Sequence, residues 1–339
     1  MPIILLMAFS SCTGPGSKKQ DKEPENLIEQ KTVGSILRSD PGMDSIVSES
    51  SQIEVLAEGF DWTEGPLWVE DGGYLLFADI PPNRLYRWKE GEGASVYLEP
   101  SGYTGKEPRG GEPGANGLLL NSEGQLVLCQ HGDRRIAKMD APLENPKSVF
   151  TTIAHNYQGM QFNSPNDATF HSSGELYLTD PPYGLEQLLD DPKKQTPFQG
   201  VYRVRNDGQV DLLTDELSRP NGIAFSPDEK TLYVTNSDPE RAIWMAYDVD
   251  EGGSVSNGRI FFDATDKTST EKGLPDGLKV NSEGIIFATG PGGVYVFSPD
   301  ATVLGIIQTG EATSNCALDT DEKYLYITAD MYLLRVKLG

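Results

Sequence analysis

From about residue 52 to its end, the chain is a run of short apolar stretches separated by clusters of Asn, Asp, Ser and Gly. This is the pattern of β-strands joined by tight turns. YLLFADI, RLYRWKE, QLVLCQH, ELYLTD, GVYRVR, TLYVTN, AIWMAYDV, GIIFATG, GVYVFS and YLYITAD all read as strands. The turns that precede several of them recur as NSEG, HSSG, SPDEK, NSEG and TDEK. Long helices have no place in this pattern.

Six passages also begin alike, with one oxygen-bearing residue, a small residue, a brief apolar run and a turn. They start at Glu64 (EGPLW), Asn116 (NGLLLN), Asn166 (NDATFH), Asn221 (NGIAFS), Asp276 (DGLKVN) and Asn315 (NCALDT). The spacing is roughly 50 residues, shortening to about 40 at the end, which is the period of a β-propeller blade. Blades one to five each supply four strands. The sixth has three, CALDT, YLYITAD and LLRVKL, before the chain ends. The unassigned strand QIEVLAEGF, ahead of Glu64, fits as its fourth and pairs an otherwise open edge. The prediction is an all-β, six-bladed β-propeller of four-stranded blades over residues 51–339, closed by its N-terminal strand.

In such a ring the first strand of each blade is innermost, so the six opening residues surround one mouth of the axis. Second strands end on the same face, and two insertions land there, residues 102–115 and 184–200. Long loops gathered on one face commonly carry function.

The opening residues are Glu, Asp or Asn, an all-oxygen set suited to a hard cation. At one position alone, Asn or Asp before Gly is ordinary turn chemistry. Turn chemistry does not account for Glu64 before Gly-Pro, or for Asn166 and Asn315, which lack a following Gly. Glu64, Asn166, Asn221 and Asp276 together offer two carboxylates and two amide oxygens. Waters would complete a calcium shell of about six to eight oxygens. Another divalent cation is the alternative. Zinc and copper favour nitrogen and sulfur, and the chain has three His residues with no HExxH and no CxxC. No G-x-S-x-G elbow and no phosphate-binding Gly-rich motif occurs. A net charge of −23 excludes nucleic acid as a natural partner.

The passages WTEGPLW, NSPNDATF with LTDPPYG, RPNGIAFSPDEKTLYVTNS and LPDGLKVNSEG resemble the gluconolactonase and regucalcin (senescence marker protein) family, in its bacterial gluconolactonase branch. Calcium-dependent diisopropyl fluorophosphatase is a distant relative. The resemblance implies a divalent ion held by Glu64, Asn166, Asn221 and Asp276. Ser164 stands where the regucalcin branch has an Arg, so substrate recognition should differ.

The expected reaction is hydrolysis of a small sugar lactone, gluconolactone-like, to its aldonic acid. A phosphotriester or another cyclic ester, or a non-catalytic scaffold with structural calcium, is the competing reading. Asp276 is the candidate base or nucleophile. Asn116, His131 and Tyr183 are candidate substrate contacts, and Asp167 would orient the ligands from behind. Arg134 and Arg135 are expected to form intrablade ion pairs. Cys129 and Cys316 are expected to be free.

At the amino terminus, MPIILLMAFSSC is too short an apolar run to span a bilayer and reads as a signal peptide. Its FSSC end resembles a lipobox, with Cys12 the lipidated residue; an ordinary signal peptide is the alternative. Residues 13–50 read as a polar tether. The expectation is a bacterial cell-envelope protein, periplasmic or anchored to the outer membrane, touching the membrane only through a lipid.

Overall fold

The computed structural model describes residues 30–339. The signal peptide, Cys12 and the tether over 13–29 lie outside the described residues. Six antiparallel sheets form the blades, and each expected strand is found.

Blade one consists of Thr63–Val69, Tyr74–Asp79, Arg84–Lys89 and Gly93–Leu98; blade two of Ala115–Leu120, Leu126–Gln130, Arg135–Met139 and Phe150–Ala154. Blade three contains Ala168–Phe170, Leu176–Asp180, Gly200–Val204 and Val210–Thr214; blade four Pro220–Phe225, Thr231–Asp238, Arg241–Val249 and Val255–Asp263. Blade five has Leu278–Val280, Ile286–Gly290, Gly293–Phe297 and Val303–Gln308. Blade six joins Thr313–Leu318, Tyr324–Ala329 and Tyr332–Lys337 to Ile53–Glu58 as its fourth strand, with Val336 opposite Ile53. Among the described residues the one α-helix is Met43–Ile46, and no helix is long and apolar enough to cross a membrane.

Closure through Ile53–Glu58 is locked electrostatically as well as by the ladder. Arg335 of the last strand donates to Glu54 at 2.7 Å and to Glu90 of blade one at 2.6 Å, and its guanidinium lies 4.6 Å from the Tyr324 ring centroid.

The tether expectation fails from residue 31 onward. Thr32–Val33 pairs outside Ile53–Glu58 as a fifth strand of blade six, and Ser35–Arg38 pairs with Val303–Gln308 as a fifth strand of blade five. Polar composition concealed this because an outermost strand exposes one face, alternating exposed and half-buried positions. Met43 and Val47 then plug the base of the blade five–six core, both fully buried.

Apolar side chains on the two faces of each sheet meet those of the neighbouring blades, so the core is divided among blade interfaces. Leu76, Leu85 and Leu128 fill the first, between blades one and two. Cys129, Phe162 and Tyr202 fill the second, Tyr177, Ile243 and Tyr247 the third, and Trp244, Tyr295 and Phe297 the fourth. Phe287, Val296 and Ile327 lie between blades five and six, and Phe77, Trp88 and Tyr326 close the ring back to blade one. Cys129 and Cys316 are buried and free, as expected; each behaves as a small hydrophobe.

Candidate active site

The glycine after Glu64, Asn116, Asn221 and Asp276 has a steric cause that the turn reading missed. A Cβ on Gly65 would lie 2.0 Å from the carbonyl oxygen of Asn116, and one on Gly222 would lie 2.3 Å from that of Asp276. The innermost strands therefore abut backbone to backbone. Gly117 N donates to Asn166 O at 2.8 Å, Gly222 N to Asp276 O at 3.1 Å and Gly277 N to Ser314 O at 2.7 Å.

A second repeat fixes the same residues and went unread in the sequence. Thr179 donates to the carbonyl of Asn221 at 2.5 Å, Thr235 to that of Asp276 at 2.7 Å and Thr289 to that of Ser314 at 3.0 Å. These threonines occupy equivalent places in LTD, VTN and ATG, and each ties its blade to the next blade's opening segment. A third repeat is the residue ending the second strand. Asp79 accepts the N–H groups of Asp61 and Trp62, Asp180 those of Asn163 and Ser164, and Asn236 that of Arg219. Each holds the loop leading into its own blade's first strand.

Glu64, Asn116, Asn166, Asn221 and Asp276 line a single axial cavity of about 460 Å3, together with Trp62, Glu112, Tyr183 and Ser237. Five of the six opening residues thus converge. Asn315 does not line it: its Nδ2 donates to Glu64 Oε2 at 3.2 Å, steadying that carboxylate from the side. Tyr183 lines the cavity and donates to Ser237 O at 3.2 Å.

Asp167, expected behind the ligands, and His131, expected at the substrate, both lie outside this lining. Asp167 faces the cavity at the opposite end of the axis, with its Oδ2 3.7 Å from Lys279 Nζ. It stands behind Asn166 rather than in the pocket. His131 is fully buried outside the lining, its Nδ1 3.1 Å from Glu112 Oε2. His131 is thus next to the pocket through Glu112, and Gly184 packs closely on its Cβ and carbonyl. Arg135 forms the intrablade pair expected of it, 2.9 Å from Asp133, whereas Arg134 spends its donors on the carbonyls of Phe162, Asn163 and Lys193 in blade three. Glu112 itself was missed, since it lies in the 102–115 insertion, which has no counterpart in the other blades. That insertion meets the other one directly: Arg109 donates to Gly184 O, and Gly110 N to Glu186 Oε2 at 3.4 Å.

The pocket is short of donors. Oδ1 of Asn116, Asn166, Asn221 and Asp276 is in each case buried without a hydrogen-bond partner. At Asn221 the orientation is enforced, because Ser237 Oγ donates to Pro275 O and accepts from Asn221 Nδ2 at 3.0 Å. Burial pushes the Glu64 carboxyl up to about 8, aided by the charge of Asp167 and opposed by the Gly65 N–H. Burial also raises Asp276, with the charges of Glu64, Glu112 and Asp167 adding to it. Buried acceptors of one sign, left unpaired, are costly in isolation. Converging oxygens with no opposing donor suit a hard cation with Glu64, Asn166, Asn221 and Asp276 as the donor set. Among the described residues no group of three or more His, Cys, Asp or Glu gathers as a metal site, so amides have to supply half of this one.

Fold and pocket together define a six-bladed propeller with an oxygen-donor site on its axis. The SMP-30/gluconolactonase/LRE-like region matches residues 62–330, and the chain belongs to that family. It is 38% identical over 343 residues to the gluconolactonase of Zymomonas mobilis, covering 99% of this chain and 94% of that protein. Among solved structures it resembles XC5397 of Xanthomonas campestris, described as a gluconolactonase important in glucose secondary metabolic pathways. The TM-score is 0.76 at 28% identity, covering 91% of this chain and 97% of that one. The calcium-binding regucalcin of Agrobacterium tumefaciens shares the fold at a TM-score of 0.64 and 21% identity, covering 84% and 93%.

Proposed function

We propose that this protein hydrolyses a sugar lactone to its aldonic acid, using a divalent cation, calcium, held by Glu64, Asn166, Asn221 and Asp276. The observation that carries the proposal is the set of unpartnered buried oxygens converging in one axial cavity. The enzyme class follows from the family, and the gluconolactonase of Zymomonas mobilis supports a sugar lactone as substrate.

A cation held by Glu64, Asn166, Asn221 and Asp276 would supply Lewis-acid polarisation of a lactone carbonyl. The chain's own residues do the rest. Asn116 has an open amide oxygen in the pocket and accepts from a sugar hydroxyl. Trp62 and Tyr183 line the same cavity and offer apolar faces to the carbon skeleton. Asp276 Oδ1, also unpartnered, orients the attacking water. A cavity of about 460 Å3 matches a single small ring better than a polymer.

The test is turnover of gluconolactone, a pentonolactone and a phosphotriester by purified protein, stripped with chelator and refilled with calcium, magnesium, manganese or zinc. Sugar-lactone turnover should vanish on stripping and return best with calcium. Asp276→Asn and Glu64→Gln should each lower it by at least about 100-fold. If both variants turn over every lactone like the wild type, the axial site is not the catalytic one; a wild type that turns over no lactone but binds a protein partner would be a scaffold.

A further inference from the structure

We propose that Glu112, positioned by His131, is the general base and proton carrier of this site; the proposal rests on the lactonase reading. Asp276 belongs to the cation's donor set, and a carboxylate beside a divalent cation is a weak base. Glu112 and Glu271 both line the cavity outside that set, and of the two it is Glu112 whose charge bears on both Glu64 and Asp276. Glu112 is also more accessible than Glu64, its side chain 36% exposed against 2% for Glu64.

His131 is fully buried immediately after the second strand of blade two, and neither of its ring nitrogens is hydrogen-bonded. Nδ1 nevertheless lies 3.1 Å from Glu112 Oε2, within ion-pair reach. A small turn of either side chain makes that approach a hydrogen bond, and a buried imidazole so placed gives the carboxylate a fixed direction, as the third group does in nucleophile–base–orienter arrangements. The insertion that carries Glu112 is pinned on the same side, with Arg109 donating to Gly132 O at 2.6 Å and to Gly184 O. The titratable and charged groups around the pair are Glu64, Asp276 and Tyr183, all of which feel the charge of Glu112, Glu271 on the same cavity lining, and Arg109 on the insertion.

The proton inventory closes without any outside reagent. As a water oxygen bonds to the lactone carbonyl carbon, its O–H bond breaks and the proton goes to the Glu112 carboxylate. The intermediate collapses with cleavage of the ring carbon–oxygen bond. Glu112 returns the proton to the departing alkoxide, which becomes the new hydroxyl. The product acid then loses its own proton to solvent. Glu112 is the catalytic residue in this scheme and His131 the positioning residue.

The experiment uses the full chain, loaded with calcium, on gluconolactone, for the wild type, Glu112→Gln, Glu112→Asp and His131→Gln. Glu112→Gln should lower kcat by about 100-fold or more. Its KM and calorimetric calcium affinity should stay within about threefold of wild type, and its thermal midpoint should stay near that of the wild type. Glu112→Asp should recover part of kcat, and His131→Gln should lower kcat while leaving KM and calcium affinity in place. If His131→Gln does not fold, the two Glu112 variants decide alone. An active wild type whose Glu112→Gln variant keeps kcat overturns the relay and leaves the lactonase reading intact. A wild type inert on every lactone overturns both.

Discussion

At the scale of single residues, the site is set by side chains that never enter the pocket. Asp180 illustrates this: fully buried, it accepts the N–H groups of Asn163 and Ser164, both at 2.7 Å, and so fixes the loop that delivers Asn166. Burial pushes its carboxyl up to about 7, against the pull of those two N–H groups and of Arg134. A carboxyl whose folded value lies above its unfolded one stabilises fully at low pH, and that contribution is lost as pH rises through the folded value. Between pH 5 and 7.5, Asp180 should therefore cost the fold on the order of 2 kcal/mol. Asp211, held low by Arg203 and Arg205, does not contribute there, and Glu64, raised to about 8, contributes equally to wild type and variant. Comparing urea midpoints of wild type and Asp180→Asn at the two pH values isolates the term. The variant should show the smaller loss on going to pH 7.5, and equal losses would rule out the raised carboxyl. The amide's poorer match to two N–H donors shifts both of its midpoints alike and leaves the difference untouched.

At the scale of elements, the N-terminal segment contains two structures of unequal weight. Ile53–Glu58 completes blade six, whereas Thr32–Val33 and Ser35–Arg38 only widen blades that are already complete. A chain starting at residue 51 should stay folded and active, with a lower thermal midpoint because Met43 and Val47 leave the blade five–six core. A chain starting at residue 60 bares the edge of Tyr332–Lys337 and strips Arg335 of its Glu54 partner. It should aggregate, since an unpaired edge strand is a template for other chains. Light scattering of the two truncations checks this, and a soluble, active chain from residue 60 would show that closure does not depend on the strand. The difference in weight between these segments marks what the sequence made legible. Ile53–Glu58 was readable because blade six came up one strand short, and the opening residues because they recur at the blade period. Ser35–Arg38 answers to no shortage, and Glu112 sits in an insertion with no partner in the other blades. The threonines of LTD, VTN and ATG do recur, but their purpose lies in the next blade's carbonyls, which become visible only once neighbouring blades are placed side by side.

At the scale of the whole molecule, two demands on charge oppose each other. Fifty-one acids against 28 bases leave a net charge of −23, which repels itself in the compact state and also draws cations toward the axial cavity. Nothing in the ring localises this strain, because every blade shares its core with both neighbours. Repulsion should therefore lower the stability of the molecule as one unit. Raising salt shortens the reach of these charges from about 14 Å at 0.05 M to about 4 Å at 0.5 M. The cation-free protein should then melt roughly 1–3 °C higher in the stronger salt. Its affinity for calcium should fall several-fold over the same range, because the distant acids stop contributing while the donor set is unchanged. Calorimetric melting in chelator, paired with calcium titration at both salt concentrations, reads the two quantities on one preparation. The opposite signs are what a self-repelling surface around a cation-seeking axis requires. Affinity that does not change with salt would mean that Glu64, Asn166, Asn221 and Asp276 act alone, and that the acidity of the chain serves solubility instead.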